Sequence, residues 1–148
     1  MGNERAPILK IKRLFSDAKM PVYATDGSAG FDLFTTESGI LNPGAGQLIF
    51  PLGVKAEIPK NWAVLFVGKS GLASQKGVAV LGGLIDSDYR GEWMAILINN
   101  GTMGHSFSKG DKVVQGVLMF TPQAKIMEVD ELSETKRGKG GFGSTGRK

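Results

Sequence analysis

Residues 137–148 (RGKGGFGSTGRK) place cations, an aromatic ring, two hydroxyls and five glycines in one stretch with no aliphatic side chain. Such a stretch has nothing from which to build a core, but it is equipped to wrap a ligand. Glycine lets backbone N–H groups turn toward phosphate oxygens, Arg137 offers a planar fork of donors, Ser144 and Thr145 add hydroxyls, and Phe142 presents a flat face to a base. The chemistry on offer is that of a nucleotide clamp. The same composition also describes a glycine-rich tail that buries nothing, and the rest of the chain has to decide between the two.

A second group, residues 82–91 (GGLIDSDYRG), runs from an apolar strand end into two carboxylates and a tyrosine before turning back. Its adjacent glycines admit a ligand close to the backbone, and Asp86 and Asp88, two apart, would share one face of a strand. A polar hairpin tip has the same composition. A third group, Gly68-Lys69-Ser70, imitates the end of a phosphate-binding P-loop. The glycine which that motif requires five residues before Gly68 is Ala63, and the intervening residues read as strand, so the motif is rejected.

Short elements must position these groups. Apolar runs recur between Gly, Pro and Asn punctuation at residues 8–14, 31–35, 47–55, 62–67, 78–81, 93–99, 112–120 and 126–129. Their lengths and their β-branched and aromatic content predict strands. One short helix is predicted over residues 70–76 (SGLASQK), with Ser70 as N-cap and Gly77 as the stop. The start of that helix, beside Lys69 and Ser70, is where phosphate should be drawn. The expected fold class is all-β, a sandwich or barrel with one short helix.

A length of 148 residues suits one domain. Residues 1–135 form its body and residues 136–148 a Gly- and Lys-rich flexible tail. Cysteine is absent and His105 is the one histidine, which removes disulfides, thiolate nucleophiles and the usual structural zinc sites; His105 reads as a loop residue. The net charge of +4 belongs to the tail: five of the Lys and Arg residues lie in 136–148, leaving thirteen cations against fourteen acids before it. A concentrated basic end suits a small polyanion better than a nucleic-acid footprint, which spreads its cations along a face. No apolar run reaches membrane-spanning length, and the first residues lack the apolar centre of a signal peptide. The expected location is the cytoplasm, with neither membrane nor nucleic acid as a direct partner.

Taken in order, Ala29-Gly30-Phe31-Asp32-Leu33, Gly68-Lys69-Ser70-Gly71-Leu72-Ala73, the acidic hairpin 82–91, Gly110-Asp111-Lys112-Val113-Val114-Gln115 and the tail resemble the five motifs of the trimeric dUTPase family. The resemblance spans nearly the whole chain. It implies a jelly-roll β-barrel that assembles as a homotrimer, each active site drawing motifs from all three subunits while a tail closes over it. The implied reaction is hydrolysis of dUTP to dUMP and pyrophosphate, which keeps uracil out of DNA and supplies dUMP for dTMP synthesis.

On this resemblance Asp86 matches the general base that directs a water at the α-phosphorus, and Asp32 matches the carboxylate that anchors Mg2+, directly or through water. Ser70, Gly71 and Gln115 match the phosphate cradle. Lys69 stands where the family commonly has arginine, so charge is kept and the bidentate fork is not. Main-chain groups around Val80, Gly83, Leu84 and Ile85 match the uracil reader. Tyr89 matches the ring beneath the deoxyribose; Met94, which reads first as a strand-packing residue, is a further candidate for ligand contact. Arg137 corresponds to the phosphate-neutralising arginine, Phe142 stacks on uracil, and Gly143, Ser144 and Thr145 close on the triphosphate. Phe31 replaces the usual tyrosine, a change that looks structural.

Two other readings compete. The dCTP deaminase family shares the barrel but carries a glutamate in the strand after the hairpin, where Met94-Ala95-Ile96-Leu97 has no acid. A regulatory module that signals nucleotide occupancy to a protein partner is the reading from another class, and such a partner is not readable from this sequence, in which no long insertion marks an interaction element.

Overall fold

The computed structural model describes residues 6–141. Among them the chain forms twelve strands and one helix. The strands are β1 (Lys10–Arg13), β2 (Val22–Tyr23), β3 (Phe31–Phe34), β4 (Gly39–Leu41), β5 (Gly46–Pro51), β6 (Val54–Glu57), β7 (Trp62–Val67), β8 (Val78–Leu81), β9 (Leu84–Ile85), β10 (Met94–Asn99), β11 (His105–Phe107) and β12 (Lys112–Phe120); helix α1 (Ser70–Lys76) lies between β7 and β8. One sheet runs β2-β3-β12-β7-β9 and another β5-β10-β8, with β1 paired to β6 and β11 to β4, every pair antiparallel. These four sheets are not joined into a closed hydrogen-bonded ring among the described residues. The architecture is mostly β with one short helix.

Period-two alternation decides which face each strand buries. In β10, Ala95, Leu97 and Asn99 are buried while Met94, Ile96 and Ile98 face the other way. Ala95 and Leu97 join Trp93, Phe50, Leu33, Val64 and Val113 in one core that draws on both large sheets. Phe66 of β7 meets the Trp93 ring edge-on at 5.6 Å, and Phe50 of β5 meets Phe107 of β11 at 5.0 Å. Each such fully buried large apolar side chain contributes about 1.5–3 kcal/mol relative to exposure.

Two predicted strands are corrected. The expected run over 47–55 is divided because Gly53 adopts φ 64°, where an added Cβ would lie 2.5 Å from Thr36 Cγ2 and 2.9 Å from Ala18 Cβ. The chain there leaves β10 as partner and joins β1. Residues 126–129 form no strand: no other strand lies beside them, and Ile126 is 95% exposed. His105, read as a loop residue, opens β11, and its Nε2 donates to the Lys76 carbonyl at 3.1 Å. Lys69, not Ser70, is the N-cap of α1; its extended backbone caps with no side-chain hydrogen bond, and Ser70 is the first helical residue. Gly77 does end the helix, in the left-handed region at φ 67°, with its N–H on the Ala73 carbonyl.

Candidate active site

The strand β12 is irregular where it begins. Its pairing with β3 slips between Lys112 and Val114, so one extra residue is accommodated and both Val113 and Val114 are buried in succession. In an unbroken strand Lys112 and Gln115, three apart, would face opposite sides. The bulge re-phases the strand and turns both into the same cavity, of about 450 Å³, together with Gly30, Asp32, Val67 and Lys69. Asp32 lies directly across from Gln115, and Gln115 across from Val67, so the three form a cross-strand row at the cavity wall.

Asp32 is 5% exposed and holds two cations. Lys69 Nζ lies 2.5 Å from its Oδ1 and Lys112 Nζ 2.7 Å from its Oδ2. Burial pushes this carboxyl group up, yet the hydrogen bonds and charges of Lys112 and Lys69 together outweigh it and hold the group below its usual value. Gln115 fixes its own orientation by donating from Nε2 to the Gly68 carbonyl at 3.0 Å. An adjoining cavity of about 380 Å³ is lined by Lys69, Ser70, Gly71, Lys112 and Gln115. The sequence-predicted residues Asp32, Lys69, Ser70, Gly71 and Gln115 are thus brought together, and the structure adds Lys112 to them. Phe31, as expected, is structural: it is buried, and its ring occupies the space that a side chain at Gly116 would need.

The residues of this cluster do not fit a magnesium ion ligated directly by Asp32. Hard divalent cations seek free carboxylate oxygens, and both of Asp32's are taken by ammonium groups. No group of three or more His, Cys, Asp or Glu side chains suited to a metal occurs among the described residues.

The acidic hairpin is built separately. Gly82 and Gly83 turn the chain between β8 and β9 at φ 62° and 102°, a region that side-chain-bearing residues rarely adopt. Gly83 accepts the Phe66 N–H at 2.8 Å, and a Cβ there would stand 3.0 Å from Phe66 Cβ, so only glycine lets the hairpin lie this close to β7. Val80 ends up half-buried in β8, Leu84 exposed and Ile85 half-buried in β9. Past β9, Asp86 to Tyr89 form a turn, not a strand, closed by the Tyr89 N–H on the Asp86 carbonyl at 3.2 Å. Asp86 and Asp88 therefore do not share a strand face, but they do line one cleft of about 520 Å³, with Leu84, Ser87, Lys60 and Trp62. Tyr89 lays its ring over Gly91, with its hydroxyl donating to the Glu92 carbonyl at 3.1 Å. Met94 is partly exposed at the start of β10.

The predicted site is therefore divided on a single chain. Asp86 and Leu84 line one cleft, while Asp32, Lys69 and Gln115 line another. Arg137 belongs to neither cleft: it sits in an exposed turn, where its Nε donates to the Gly140 carbonyl at 2.9 Å. Phe142, Gly143, Ser144 and Thr145 lie outside the described residues. Lys112 is not legible as a site residue from its motif alone, because only the bulge brings it round to Gln115.

Comparison with known proteins finds the dUTPase family model matching residues 16–146. A deoxyuridine 5'-triphosphate nucleotidohydrolase from Clostridium tetani is 50% identical over 141 residues, covering 94% of this chain and 97% of the relative. Its counterpart from Alkaliphilus metalliredigens is 46% identical, covering 95% and 98%. Among solved structures, a Staphylococcus bacteriophage 80alpha dUTPase mutant with dUpNHpp superposes with a TM-score of 0.86 at 23% identity, over 94% of this chain and 98% of that one. A mutant dUTPase from phage phi11 of S. aureus, described as revealing the coordination of a structural Mg(II) ion, superposes at 0.79 with 22% identity, over 86% and 99%.

Proposed function

The chain belongs to the dUTPase family, and from that premise we propose that it is a dUTP nucleotidohydrolase that splits dUTP into dUMP and pyrophosphate at sites pooled from three copies. The observation that carries this reading is the division of the site: the acid of the hairpin and the cationic cluster of β3, β12 and α1 occupy separate clefts of one chain. A second copy that sets its hairpin against this chain's cationic cavity completes the site. A jelly-roll homotrimer does this three times over, with symmetry-equivalent sites. The exposed apolar residues Ile126, Met127, Val129 and Leu132, in a stretch without regular structure, also suit contact with another copy.

Within such a site each group has a role its chemistry suits. Asp86 accepts a proton from the water that attacks the α-phosphorus in line with the departing pyrophosphate, an effect typically worth about 10² to 10⁴ in rate. The negative charge that spreads over the phosphate chain is met by Lys69, Ser70, Gly71 and Gln115. Main-chain groups from Val80 to Ile85 read the uracil edge and leave no room for a 5-methyl group. Tyr89 backs the deoxyribose so that a 2′-hydroxyl would clash, and Met94 adds an apolar contact. Residues 136–148 close over the body formed by 1–135: Arg137 neutralises the terminal phosphates, Phe142 stacks on the base, and Gly143, Ser144 and Thr145 enclose the triphosphate. Magnesium belongs with the triphosphate oxygens, whose charge it would offset. Among the described residues no helix is long and apolar enough to cross a membrane, and a cytoplasmic location suits the proposed substrate.

Pyrophosphate release from dUTP, dTTP, dCTP and UTP tests the reading. Turnover of dUTP should exceed that of the other three by about a hundredfold or more, because each would have to place an additional or altered group against a filled surface. Comparable turnover of dTTP or UTP would contradict the assigned pocket, and ammonia release from dCTP would point to deamination.

A further inference from the structure

We propose that Asp32 acts as a positioning carboxylate that presents Lys69 and Lys112 side by side as a paired-ammonium site for a polyphosphate, and that it is not a metal ligand. The inference rests on reading this cavity as the phosphate end of a dUTP site, and it makes Lys112 a further substrate-binding residue. Three independent features of the backbone lead to the arrangement. Asp32 is set in the middle of β3 between buried Phe31 and Leu33, so its carboxylate is held at a fixed point of the cavity wall. The bulge in β12 turns Lys112 to the side that Gln115 faces. Lys69 arrives from the extended residue that precedes α1. The two lysines are 43 residues apart in the chain, and one carboxylate gathers both.

Each ammonium spends a donor on Asp32 and keeps the rest. With side-chain exposures of 27% for Lys69 and 46% for Lys112, both still face the two cavities that they line together. Two positive charges against one negative leave the cluster net cationic. That polarity suits the oxygens of a phosphate chain and opposes a bare divalent cation, which would have to expel a lysine to reach Asp32. The pair also does what one arginine fork would do, two donor groups at fixed spacing, with Asp32 supplying the rigidity that a flexible lysine lacks.

The test uses the full chain, with inorganic pyrophosphate titrated by calorimetry in the absence of metal. Lys112→Gln should weaken pyrophosphate binding about tenfold or more, as expected for loss of a charge-assisted contact, and Lys112→Arg should keep most of it. Asp32→Asn should weaken it similarly, through loss of lysine placement. Titration of Mn2+ followed by EPR, with dUpNHpp bound, should give the same half-saturation for Asp32→Asn as for wild type. Unchanged pyrophosphate binding in Lys112→Gln would overturn the proposal, as would a Mn2+ half-saturation shifted about tenfold in Asp32→Asn. Circular dichroism confirms folding of each variant, and Lys112→Gln, altered at a partly exposed position, decides the question if Asp32→Asn unfolds. Hydrolysis of dUTP by the wild type is followed alongside. Its absence would strike the proposed activity, whereas the pyrophosphate titration judges the lysine pair by itself.

Discussion

Asp86→Asn should lower dUTP turnover about a hundredfold or more while leaving dUTP and dUpNHpp tightly bound. Asp86 follows directly on β9, and the Tyr89 N–H bonded to its carbonyl fixes the backbone, so the side chain is delivered to the cleft by main-chain geometry that asparagine would preserve. The substitution keeps the size of the side chain and one acceptor oxygen, exchanges the other oxygen for an NH2 donor, and removes the negative charge together with the ability to take a proton from water. In the proposed site binding rests on other groups, the hairpin backbone for the base and the lysine cluster for the phosphates, so KM should move far less than kcat. Single-turnover pyrophosphate release alongside dUpNHpp affinity measures both. Loss of affinity with little loss of rate would remove Asp86 from the role of base and leave it as a binding residue.

Deleting residues 137–148 should leave a folded, assembled protein with turnover reduced about a thousandfold, the scale on which an arginine supplied to a phosphate in transfer acts. None of residues 137–141 is buried in the body: Arg137 is exposed, and the turn it forms is held by its own backbone and by Gly140. Thermal stability should therefore stay close to that of the intact chain. The loss should fall on chemistry, because the deletion removes the arginine proposed to meet the terminal phosphates, the ring proposed to cover the base and the segment proposed to shut out water. Heat denaturation and size-exclusion chromatography establish the fold and assembly of the truncated protein, and steady-state turnover measures the loss. Full activity without these residues would refute the lid.

Much of this arrangement is legible in the residues themselves, and what is not has identifiable causes. Strands β7, β8 and β12 and helix α1 coincide with their predicted bounds because each is a strongly patterned run closed off by Gly, Pro or Asn. The two-residue strands β2 and β9 carry no pattern of their own; they exist because β3 and β7 offer an edge to pair with. Residues 126–129 show the reverse case, in which strand-forming composition meets no partner within the chain. The site divides along the same line. Asp86, Tyr89 and the twin glycines are read from one contiguous motif. The lysine pair depends on contacts between residues 32, 69 and 112 and on a bulge that shifts Lys112 by one face, and no local pattern announces either.

Hybrid assemblies test most directly whether the site is assembled between copies. Asp86→Asn chains co-expressed with chains lacking residues 137–148, each nearly inactive alone, should yield mixed trimers in which one copy lends its acid and another its tail. At equal expression and random assembly, about one quarter of wild-type turnover should return, since each mixed trimer holds one intact site. Hybrids as inactive as their parents would show that each site takes its acid and its tail from the same chain, and would contradict the account.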